Sequence, residues 1–93
     1  MAEYQAGCLV RSLAGHDKEG FFLILKEEAE YVILADGRHR TVEKPKRKKK
    51  KHVQISGIKD ETLAEKLMSG STVRDEEIRY FLKRIAQGGK ENV

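Results

Sequence analysis

A chain of 93 residues, 39% hydrophobic and 37% charged, holds enough for one small core and too little for two. The apolar runs FFLIL and YVILA need burial and exclude full disorder, and no stretch approaches the roughly 18 apolar residues of a membrane span. With no signal-peptide core at its start, the chain is expected to be a soluble cytoplasmic protein, monomeric when free.

The first half reads as β-structure. CLVRSLA (8–14) is a short apolar run ended by Gly15 and the polar turn GHDKEG. FFLILKE (21–27) is continuous and rich in aromatic and β-branched residues, as a buried strand requires, and YVILA (31–35) is of the same kind. The polar stretch EEAE (27–30), three acids and an alanine, suits a hairpin between them. Asp36-Gly37 tolerates the positive φ of a type I′ turn, so YVILA is expected to fold back onto RHRTVE. HVQI (52–55) alternates polar and apolar residues as a last short strand. Five short strands with tight turns predict a small, strongly bent barrel.

After Gly57 the period changes. Leu63, Ala64, Leu67 and Met68 recur at helical spacing between Asp60, a good N-cap, and Gly70, a good C-terminal stop. A second helix is expected from Asp75 to about Gln87, with Ile78, Phe81, Leu82 and Ile85 on its apolar face and three acids at its positive end. The expected organisation is a mainly β, α+β chain: a barrel over 1–56, a helical pair packed on it over 57–88, and a flexible tail over 89–93.

Charge is distributed unevenly. The formal net charge is +4, yet residues 44–51 alone carry seven basic groups and no acid, which leaves 12 basic against 15 acidic residues elsewhere. Such a segment attracts polyanions more strongly than the overall balance implies. If extended, it turns Lys46, Lys48 and Lys50 one way and Arg47, Lys49 and Lys51 the other. Neither set tolerates a core, so the segment is expected to be a solvated loop or an edge. Catalytic and metal readings are weak: Cys8 stands alone among apolar neighbours as a packing residue, and His16, His39 and His52 are too scattered to be ligands. No phosphate-cradling glycine loop is present, so no cofactor and no enzymatic activity are expected. Phe21, Phe22, Phe81 and Tyr31 fall in core-like patterns, which favours recognition of folded RNA by shape and phosphates over base stacking.

GCLVRSLAGHDKEGFFLIL resembles a KOW motif, and with ADGRHRTVEKPKRKKKKHVQ and DEEIRYFLKRI the chain is similar over nearly its whole length to the ribosomal L14e-like family of KOW-domain RNA-binding proteins. The resemblance implies an SH3-like β-barrel that binds structured RNA, typically ribosomal RNA, with ribosomal proteins as further partners. It places the motif glycine at Gly15, with His16, Asp17 and Lys18 completing the loop; Glu19 stands where the family commonly has a glycine, which here follows at Gly20. The expected RNA contacts are therefore Lys44, Lys46, Arg47, Lys48, Lys49, Lys50 and Lys51, a second edge of Arg38 and Arg40, and the loop residues Gly15, His16 and Lys18. The alternative is a non-enzymatic protein-interaction adaptor whose lysines bind acidic surfaces or aid solubility. DNA binding ranks below RNA because no helix is evident for a major groove.

Overall fold

The computed structural model describes residues 4–13, 15 and 20–91, with side chains through residue 86. Five strands, β1 (Cys8–Ser12), β2 (Phe21–Glu27), β3 (Tyr31–Ala35), β4 (Lys46–Lys49) and β5 (Val53–Lys59), precede two helices, α1 (Glu61–Ser69) and α2 (Asp75–Glu91). The strands form one antiparallel sheet in the order β4-β3-β2-β1-β5, open between its edges β4 and β5. The α+β composition matches the sequence expectation; the sheet is bent but not closed.

The continuous apolar runs have a physical reason: β1, β2 and β3 are buried on both faces. On one face Val10, Phe22, Ile24, Val32, Leu34 and Val53 pack against each other, with Tyr4 and Ile55 at the margin. On the other, Leu9, Leu23 and Ala35 meet Leu63 of α1 and Ile78 and Phe81 of α2. The first cluster draws only on the strands and Tyr4, so the sheet must curl around it. Irregular register between Ile24 and Lys26 on β2, and between Cys8 and Val10 on β1, supplies bends.

The helices begin and end where local chemistry puts them. Asp60 Oδ1 accepts a 2.8 Å hydrogen bond from Leu63 N, and Gly70 closes α1 at φ 82°. Helix α2 begins at Asp75 as expected but runs on to Glu91, through Gly88 and Gly89, where a tail was anticipated.

Two expectations on the β-half change. The strand expected over 38–43 does not form, and the fourth strand is instead Lys46–Lys49, paired with β3 through Leu34↔Lys46, Ile33↔Arg47, Val32↔Lys48 and Tyr31↔Lys49. Asp36 is the cause. Its Oδ1 accepts from the backbone of Arg38 and Arg40 at 2.8 and 2.9 Å, so a closed loop replaces the hairpin. That loop is docked on α2: Val42 N donates to Asp75 Oδ1 at 2.8 Å and Arg79 Nη1 to Gly37 O at 2.6 Å. Gly37, at φ 79°, is needed for contact as much as for conformation, because a Cβ there would lie 2.6 Å from Asp75 O. The final strand is also longer than HVQI, extending to Lys59 after a 3-10 turn at Lys50–His52.

Candidate nucleic-acid interface

The basic segment is an edge, not the solvated loop over 44–51 that was the other expectation. Residues 46–49 are strand β4, which has no hydrogen-bonded strand on its outer side among the described residues, and Pro45 sits immediately before it, where a missing N–H does not break the ladder. The alternation holds: Lys46 and Lys48 are half-buried and Arg47 and Lys49 exposed, and it continues with Lys50 half-buried and Lys51 exposed. Lys46 and Lys48 stand in register with Leu34 and Val32, and half-burial of a lysine at such a place covers its alkyl stem rather than its charge.

Seven cations in eight residues repel, and the structure relieves part of that. Arg47 Nε donates to Glu28 Oε1 at 2.9 Å, and its guanidinium lies 3.7 Å from the centre of the Tyr31 ring. The Glu28 hydrogen bond raises the Arg47 pKa above its ordinary value, so its charge is constant. Lys50 Nζ pairs with Glu27 Oε2 at 2.6 Å and lies 5.3 Å from the ring of Tyr4, whose hydroxyl donates to Lys50 O. Lys46 and Lys48 also have interaction partners. Lys44, Lys49 and Lys51 have no ion pair among the described residues, and all three are exposed. Surface pairs of this kind are worth about 0–1 kcal/mol each, so a polyphosphate competes with them readily.

Of the loop residues singled out from the sequence, Gly15 is exposed at φ 80°, a conformation that favours glycine. A Cβ at Gly15 would lie 3.5 Å from Lys48 Nζ, so the Lys48 ammonium group reaches the loop after β1. His16 and Lys18, with Asp17 and Glu19, lie outside the described residues. Arg38 and Arg40 are not on one face of a strand, because no strand forms there; both occupy the loop docked on α2, Arg38 exposed and Arg40 half-buried.

Sequence reasoning missed three features. Glu27 and Glu28, read only as part of a strand end and turn, form ion pairs with Lys50 and Arg47 of the basic segment. Tyr31, assigned to the core, is half-buried beneath Arg47. Phe21 is 50% exposed, whereas its neighbour Phe22 is 3% exposed. The last was signalled by the pleat alone: adjacent residues of a strand face opposite ways, and Phe21 is at the strand's end.

Among the described residues no group of three His, Cys, Asp or Glu is placed to hold a metal ion, and no helix is long and apolar enough to cross a membrane. No protein-family model matches the chain, and neither does any curated protein.

Proposed function

We propose that the chain is a non-enzymatic RNA-binding protein that engages structured, ribosomal RNA through the basic edge. The observation that carries this reading is Lys46–Lys51: six consecutive cations held at a sheet edge, with Lys49 and Lys51 exposed and without ion pairs among the described residues. A lysine reads phosphate and not base identity, so the edge supplies affinity and position rather than sequence choice. The resemblance of residues 7–25 to a KOW motif supports the same reading, as does the bent five-stranded sheet, which we take to be an SH3-like barrel left open between β4 and β5.

Contact with about 5 to 7 phosphates gives a log–log salt slope of about −4 to −6. The test is binding to a structured ribosomal RNA fragment across a salt series, with Lys48 to Lys51 replaced by serine. Wild-type binding should weaken by orders of magnitude from low to physiological salt, and the variant's slope should be shallower by about 3 to 4. An unchanged slope sinks the assignment.

One observation favours a second reading. Lysines on an exposed edge strand prevent edge-to-edge pairing with another sheet, a role that needs no RNA. Under that reading the serine variant would self-associate while nuclease-treated and untreated lysates gave the same partners.

A further inference from the structure

A second surface, apart from the basic edge, combines an exposed aromatic ring with cationic side chains. Phe21 opens β2 at 50% exposure and lines a cleft of about 280 Å³ with Asp36, Arg38, Arg79, Leu82 and Lys83. Arg11 stands directly opposite Phe21 on β1, and Gln54 opposite Arg11 on β5, so the three form a row across the sheet. Arg11 Nη2 donates to Gln54 Oε1 at 2.9 Å, which ties these two side chains of the row to each other. At the rim, the side chains of Arg38 and Lys83 have no partner among the described residues. Arg79 is committed to Gly37 O. Among the described residues Asp36 is the one acid lining the cleft, and its Oδ1 already accepts two backbone N–H groups.

We propose that this cleft takes a single unpaired nucleotide of the bound RNA, its base stacked on Phe21 and its flanking phosphates held by Arg38 and Lys83. The inference rests on the RNA-binding reading above and specifies which element of the RNA is sought. The cleft's volume lies at or below the low end of small-ligand sites, too small for a duplex and suited to one extruded base. A flat apolar face ringed by cations complements a base flanked by phosphates, and every base has a π-face, so the preference is for an unstacked nucleotide rather than for a sequence. Arg38 and Lys44 belong to the same loop, which leads directly into β4, so a strand leaving the cleft can follow that loop to the basic edge.

The test compares two RNA hairpins of equal length, one fully paired and one with a single bulged 2-aminopurine. Wild-type protein should prefer the bulged hairpin and change the 2-aminopurine fluorescence on binding. Phe21→Leu should bind the paired hairpin as wild type does, lose roughly 5- to 100-fold on the bulged one, and leave the fluorescence unchanged. Phe21→Trp should restore both signals, and Arg38→Gln with Lys83→Gln should lower bulge affinity without altering the fold. The serine variant of Lys48 to Lys51 should weaken both hairpins alike. Equal binding of the two hairpins by wild type, with the serine variant still weakened, overturns the cleft assignment and leaves the basic edge standing. Binding of neither hairpin at low salt overturns both readings. A wild-type dimer abolished by Phe21→Leu would assign the ring to a second copy and likewise overturn the proposal.

Discussion

Replacing Gly37 by alanine tests whether the loop after β3 is docked on α2 or is a free hairpin turn. Two costs are separable. The residue sits at φ 79°, where an L side chain is disfavoured by roughly 1–2 kcal/mol. The new Cβ would also fall 2.6 Å from Asp75 O and 2.8 Å from Arg79 Cγ, so the loop must lift from the helix. Overpacking of this kind costs about 1–3 kcal/mol, and lifting strains the Arg79–Gly37 hydrogen bond. The total expected is about 2–5 kcal/mol, a large share of the roughly 5–15 kcal/mol that holds a domain together. Gly57→Ala is the internal control: its φ is 86°, but nothing lies within 4 Å of its would-be Cβ, so only the backbone cost applies. Urea unfolding of both variants, read as midpoint at constant slope, gives the difference. Gly37→Ala should exceed Gly57→Ala by about 1–3 kcal/mol. Equal losses would refute docking and return Asp36-Gly37 to a free turn.

Removing the acids that compete for the basic edge should tighten RNA binding. Glu27→Gln with Glu28→Gln frees Lys50 and Arg47, steepening the salt slope by up to about 2 while changing stability by no more than about 2 kcal/mol. Weaker binding of the double variant would show that those glutamates orient the cations instead. Glu77 accounts for a pH effect: the hydrogen bond from Lys66 lowers its pKa below the ordinary 4.5. A depressed carboxylate stabilises fully above the unfolded value and loses that contribution as pH falls through the native one. The melting temperature of wild type should therefore drop below about pH 4.5 more than that of Glu77→Gln, with the whole effect within about 1 kcal/mol for a half-exposed pair. Parallel pH profiles would exclude it.

Much of the fold is written in local chemistry. FFLILKE and YVILA form strands at their expected bounds, and Asp60 and Gly70 cap α1 because both signals act within one helical turn. What local pattern does not disclose is pairing. A run of lysines has low β-propensity, and β4 exists through non-local partners: the β3 ladder, Glu28 with Tyr31 on Arg47, and Glu27 with Tyr4 on Lys50. Asp-Gly was legible as a turn, but not that Asp36 closes the loop on itself or that Asp75 and Arg79, about 40 residues further along, hold that loop on α2. At the interface, charge was legible and its geometry was not: Lys48 and Gly15 meet because the sheet curls, a fact no spacing encodes. Phe21 escaped for a related reason, since an apolar run does not say at which end it leaves the core.

The contact between Asp75 and Val42 also alters chain entropy. Ten residues, 36–45, separate β3 from β4, but with Val42 tethered to α2 only residues 43–45 remain to close the gap. Going from ten free residues to three lowers the closure cost by about 1 kcal/mol, comparable to the repulsion that adding a strand of like charges to a sheet incurs. The basic strand thus owes part of its place in the sheet to a helix that holds the loop before it. Losing the Asp75 tether would return that closure cost to β4 while leaving every contact of the strand itself unaltered.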